Sequence, residues 1–136
     1  KLRKEKEGKG CVKMVLNDKN QAGGNHYTGL EIEPGFLAEA LELKPFDFLV
    51  LKYIMRDKDG KEGRIKDLGK ILDCVNKSRL LGRESCFWSV AMEDTKLVRK
   101  YCDQFHHEKR MFSEILFWDD YKQLESSVKR ELKRLR

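Results

Sequence analysis

Residues 45–56 read PFDFLVLKYIMR. Pro45 suits the first turn of a helix, where its missing N–H would be unpaired anyway and its fixed φ already matches. Phe46, Phe48, Leu49, Val50, Leu51, Tyr53, Ile54 and Met55 then cover that helix almost all the way round. A helix without a solvent face of its own belongs at the centre of a core, with other helices packed about it. Its polar exceptions after Asp47 are Lys52 and Arg56, four apart and so on one ridge. Two cations on such a helix are costly to bury unless something anionic meets them. An acidic side chain such as Asp67 or Glu39 would serve as an ion-pair partner, and a bound phosphate would serve as a ligand.

Working outward, the chain supplies the surrounding helices. Leu30 and Ile32 alternate with Glu31 and Glu33 in an extended lead-in to Pro34, and Phe36, Leu37, Ala40, Leu41 and Leu43 follow at helical spacing. After Arg56, the segment Asp57–Arg64 (DKDGKEGR) reads as a turn-rich charged loop. Ile65, Leu68, Ile71, Leu72 and Val75 make an amphipathic stripe, with Asp67 and Lys70 on its more polar side. Ser78–Gly82 interrupts the pattern, and Cys86–Met92 (CFWSVAM) reads as a strand or a buried loop. Asp94 is placed to cap a helix whose apolar face runs through Leu97, Val98, Tyr101, Cys102 and Phe105 to Met111, Phe112, Ile115 and Leu116. Tyr121, Leu124, Val128, Leu132 and Leu135 give the last stripe. The fold expected is mostly α, a compact domain of about five helices near 34–43, 45–56, 65–77, 95–117 and 119–135. At most a minor two-stranded element, 11–16 with 86–92, accompanies them. The expected organisation is a basic, partly disordered segment over 1–19, a helical core over 20–78 and a helical extension over 79–136.

The chain has 136 residues, 40% hydrophobic and 38% charged, with ten Gly and only two Pro. That balance excludes collagen and low-complexity sequence, and no run approaches the ~20 apolar residues of a membrane-spanning helix. The four cysteines, at 11, 74, 86 and 102, contain no CxxC and read as free thiols, and no apolar leader follows Lys1, so a cytoplasmic setting is expected. The formal charge is +6, concentrated at the ends. Residues 1–24 carry seven basic and three acidic side chains, and Lys129, Arg130, Lys133, Arg134 and Arg136 crowd the last eight positions. Such tails attract polyanions, nucleic acid included, and equally favour a helix C-terminus.

No GxxxxGK[ST] loop, GxGxxG turn, HExxH or GxSxG elbow is present. Cys102 and His106 are four apart and would share a helix face, but zinc needs two more ligands, and the spacing supplies none. No metal site is expected. His26-Tyr27 follows the Gly23-Gly24 pair, in a loop where the two side chains either contact a base or phosphate or pin the loop to the core.

Asn20–Tyr27 (NQAGGNHY), Leu30–Pro34 (LEIEP), Lys52-Tyr53-Ile54 with Arg56, and Asp67-Leu68 with Lys70 occur in an order that resembles a family of small phage nucleotide kinases. In that family GG-[DN]-HY is followed by I-x-P, GN-x-x-KY-x-x-R and EDL-x-KA-x-x-YL. The resemblance spans about residues 20–77; the family's Gly-Asn falls on Phe48 and Leu49, its Glu on Lys66 and its Tyr on Cys74. It implies a phage nucleotide-binding protein and a candidate deoxynucleoside monophosphate kinase in the host cytoplasm, working as a homo-oligomer. Lys52, Arg56 and Asp67 would then be catalytic, and His26, Tyr27, Tyr53 and Lys70 would bind the nucleotide. The alternative is a catalytically silent relative that uses the helical core and basic termini to bind a host protein or nucleic acid. No cofactor is identified.

Overall fold

The computed structural model describes residues 4–7, 11–14 and 30–136, with side chains from Leu30 onward. Six helices make up most of it: α1 (Pro34–Leu41), α2 (Pro45–Met55), α3 (Gly60–Leu80), α4 (Met92–Asp103), α5 (His107–Trp118) and α6 (Tyr121–Leu135). A short antiparallel hairpin pairs β1 (Lys4–Glu7) with β2 (Cys11–Met14), in the register Lys4 to Met14 and Glu7 to Cys11.

The central position expected for α2 is observed. It lies along α3 and touches α1 and α5, while α6 runs along α3 and α5, and α4 packs on α1 and α5. Val50, Leu51 and Ile54 of α2, Leu68, Ile71 and Val75 of α3, and Val98, Tyr101, Phe112, Leu116, Leu124 and Val128 belong to one buried cluster. Residue 78 is therefore no boundary in the packing; 30–136 share one core. No helix among the described residues is long and apolar enough to cross a membrane.

Four boundaries differ from the sequence expectation. The loop after α2 is shorter than DKDGKEGR suggests, because α3 already begins at Gly60. Asp59 (φ 65°) and Gly60 (φ 61°) make the reversal in left-handed conformations, and Gly63 lets the first turn of α3 come close to Lys58. A Cβ built at Gly63 would stand 1.9 Å from the Lys58 carbonyl oxygen. At its other end α3 continues to Leu80 and closes on Gly82 (φ 83°), with the Arg83 N–H donating to the Ser78 carbonyl at 3.1 Å and the Gly82 N–H to that of Arg79 at 2.8 Å.

The single helix expected over 95–117 is two helices. α4 starts earlier, at Met92, and Asp94 lies in its first turn rather than capping it. It ends at Asp103, where Gln104 turns inward: its Oε1 accepts from the Ile32 N–H at 3.0 Å and its Nε2 donates to the Ile32 carbonyl at 2.8 Å. Phe105 is buried in the corner, and His107 restarts the helix from φ 53°. The apolar period continued through this corner, so no Gly or Pro marked it.

The strand partner expected from 86–92 is also corrected. β2 pairs with 4–7, while 86–91 is a segment outside any sheet and Met92 already belongs to α4. Cys86 and Trp88 alternate into the core while Phe87 points out, and Trp88 Nε1 donates to the Phe117 carbonyl at 2.8 Å. Side chains, not a ladder, hold it.

Candidate functional site

The C-terminal end of α2 and the α4–α5 corner face one another across a cleft of about 480 Å³. It is lined by Leu30, Met55 and Phe105 and by the cations Lys52, Arg56, Lys58 and Lys109, with Asp57 as the carboxylate among them. Lys52 and Arg56 reach it because the i, i+4 ridge of α2 emerges where the helix ends and the core thins. Neither forms an ion pair among the described residues. Lys109, at the start of α5, stands 3.8 Å from Asp57, a long contact with a carboxylate that is itself largely exposed.

Asp67 is buried on α3, and burial pushes its carboxyl above the ordinary range against the opposing charges of Arg56, Lys70, Arg64 and Lys66. Arg56 is thus its leading charge neighbour without being hydrogen-bonded to it. Asp67 does not line the cleft. Tyr53 and Lys70 pair with each other instead, the ammonium 5.1 Å from the ring centroid, and neither lines the cleft. Of the site residues read from sequence, Lys52 and Arg56 come together, Asp67 is buried near Arg56, and Tyr53 with Lys70 form a separate contact. His26 and Tyr27 lie outside the described residues.

Phe48, where the resembling family has Gly, borders a different hollow facing α1, with Gly35, Ala38 and Glu39. Lys66 is exposed and Cys74 belongs to the core, where burial raises its thiol. Lys58 and Lys109 are not distinguishable as site residues in the sequence, and Phe105 reads there only as part of an apolar helix face. Their signal depended on the break after Asp103, which brings the start of α5 back to the end of α2.

The Cys102–His106 pairing does not form on one helix face, since α4 ends between them. Cys102 is in the core with its thiol pushed up to about 12 by burial, and His106 is exposed. Among the described residues no three metal-ligating side chains converge.

A second polar centre is structural. Asp47 is fully buried, and Tyr121 donates to its Oδ1 at 2.6 Å. Its Oδ2 is buried without a hydrogen-bond partner. Burial raises this carboxyl, against the Tyr121 hydrogen bond, the Arg83 charge and the Cys86 thiol.

The chain matches no family model, no curated protein and no solved structure.

Proposed function

We propose that the cleft at the end of α2 binds a nucleotide, and that the chain is a phage nucleotide-binding protein of the host cytoplasm, a candidate deoxynucleoside monophosphate kinase. The observation that carries this is the composition of the cleft walls. Four basic side chains line it together with Leu30, Met55 and Phe105, a mixture that suits a ligand with both anionic and apolar parts. Phosphoryl transfer asks chiefly for positioning and for cations over the phosphate oxygens. Lys52 and Arg56 would supply those cations, and Asp67 would hold Arg56 from beneath as a positioning residue.

Calorimetry with deoxynucleoside mono- and triphosphates tests this directly. Saturable heat with at least one monophosphate is expected, and a complete panel without heat or thermal shift would end the proposal. Arg56→Ala provides a second check. Sulfate at a hundredfold excess over Kd should stabilise the native protein by about 2.7 kcal/mol, and the variant should lose most of that response. If Arg56 acts only as the counter-charge of Asp67, its removal should instead destabilise the protein equally with and without sulfate.

A second reading, binding of nucleic acid, is favoured by the outer face of α6. Lys122, Lys129, Arg130 and Lys133 are exposed there, while Leu124, Val128 and Leu132 face inward. Leu132 belongs to the core, so a truncation from 130 would remove packing along with charge. Arg130→Gln with Lys133→Gln is the cleaner variant. It should lower the salt slope of single-strand binding by roughly one to two ions, and an unchanged slope would discard this second reading.

A further inference from the structure

The end of the bundle away from the cleft is apolar at its surface. Leu80, Leu81, Phe87, Val90 and Met92 are each at least 66% exposed, and Trp118 is 42% exposed. Of the large apolar side chains exposed among the described residues, all but Met111 are in this group. They come from the close of α3, the segment 86–91, the first residue of α4 and the last of α5. Three contacts hold those pieces together. The Tyr121 N–H donates to the Glu84 carbonyl at 2.8 Å, Trp118 meets Trp88 edge-on with ring centroids 5.0 Å apart, and the Arg99 guanidinium stands 5.2 Å from the Trp118 centroid. Cys86 and Trp88 take the inward places, so Phe87 between them faces out. The cleft is at the far end of the same helices. Lys109 lines it from the start of α5, and Trp118 lies about 14 Å further along that axis.

Single exposed apolar residues are ordinary on a protein surface; six gathered at one end are not. Their surface open to solvent is roughly 800 Å², above the largest apolar patch of an ordinary monomer and about what one partner gives to a standard interface. The charges around it narrow the choice of partner. Glu84, Glu93, Asp119 and Asp120 are exposed beside the patch, against Lys96, Arg99 and Lys122. A rim so close to balance, with the carboxylates slightly ahead, gives no attraction to nucleic acid or to an anionic bilayer. A second copy of the chain brings the same mixture, and across a two-fold axis each carboxylate can meet a cation.

We propose that this end of the bundle is a dimer interface, in which the Phe87–Val90–Met92 face of one copy packs on the same face of a second copy about a two-fold axis. Such an interface uses one patch on both partners and closes on itself, so association stops at two. It buries the apolar end and turns the two clefts outward, one at each pole of the dimer. The inference does not rest on the nucleotide reading, since no residue of the cleft takes part.

Sedimentation equilibrium of the full chain over a range of concentrations tests this. One association step is expected, from 16.0 kDa to twice that mass, with a Kd of ~1 µM or tighter. Phe87→Ser combined with Val90→Ser should weaken the dimer at least thirtyfold. Val90→Ser alone, at a position 82% exposed, should weaken it at least threefold, so the outcome does not depend on how the double variant folds. Met111→Ser, an exposed apolar residue outside the patch, should change it less than twofold. Raising the salt to 1 M should also weaken it less than threefold, because apolar burial is not screened as ion pairs are. A chain that stays monomeric throughout, a dimer indifferent to positions 87 and 90, or a ladder of larger species would overturn the proposal. Flotation of a monomeric chain with neutral phosphatidylcholine vesicles, lost in Phe87→Ser, would overturn it too and assign the face to a bilayer.

Discussion

Gly63→Ala should destabilise the protein by about 3 kcal/mol, a drop in Tm of roughly 10 °C for a chain of this size. The added methyl would stand 1.9 Å from the Lys58 carbonyl oxygen and 2.9 Å from Asp59 Cβ. Backbone is not free to yield as a side-chain tip would, so the first turn of α3 must move. Gly69 on the same helix is the control: it is exposed, and nothing lies within 4 Å of a Cβ built there. Gly69→Ala should therefore stabilise by roughly 0.5–1 kcal/mol, since alanine loses less backbone freedom in a helix. Thermal melts of the two variants should move in opposite directions, and a shared direction would contradict the close approach at Lys58. Because Lys58 and Arg64 flank the displaced turn, Gly63→Ala should also weaken anion binding.

The second large effect lies at Asp47. Tyr121→Phe removes the one hydroxyl seen to donate to its Oδ1 and leaves a buried acceptor unpaired, which costs about 2 kcal/mol, or roughly 7 °C. The pH dependence has a definite sign. The folded carboxyl of Asp47 is raised above its ordinary value by burial, so the native state holds this proton more tightly than the unfolded chain does. Its contribution is complete below the unfolded pKa near 4 and is lost as pH rises through the raised folded value. Asp47→Asn cannot ionise, and should melt higher than wild type at pH 8 with a flatter profile between pH 5 and 8. Asp67 is raised in the same direction, so the residual slope in Asp47→Asn should disappear on adding Asp67→Asn. A wild-type protein that gains stability steadily from pH 5 to 8 would refute the assignment for both groups.

The helices legible in the sequence are those whose apolar pattern coincides with the helix itself from end to end. α2 reads as central because it has no polar face of its own, and the stripe over Tyr121–Leu135 matches α6; the cap of α6, where Asp120 Oδ1 accepts from the Gln123 N–H at 2.9 Å, is not among the sequence expectations. The corner between α4 and α5 was not legible. Phe105 keeps the helical period although the helix has ended, because it fills the same core from a turn that Gln104 fastens to Ile32, 72 positions away. A contact that distant leaves no trace in local spacing. The candidate site inherits this: Lys52 and Arg56 were readable as a ridge needing an anion, whereas Lys58 and Lys109 join them only once the chain has turned at 104–106. Asp67 was read beside the cations and does neighbour Arg56, but from within the core rather than from the cleft.

The thiols of Cys74, Cys86 and Cys102 are all free and all buried, one on α3, one in the segment before α4 and one on α4. Burial raises each of them, and a thiol reacts with alkylating agents only as an exposed thiolate. Each is silent while its own element stays closed. Mass-resolved alkylation over hours would thus turn three core side chains into separate clocks, and the order in which they take up label would give the order in which the parts of the domain open.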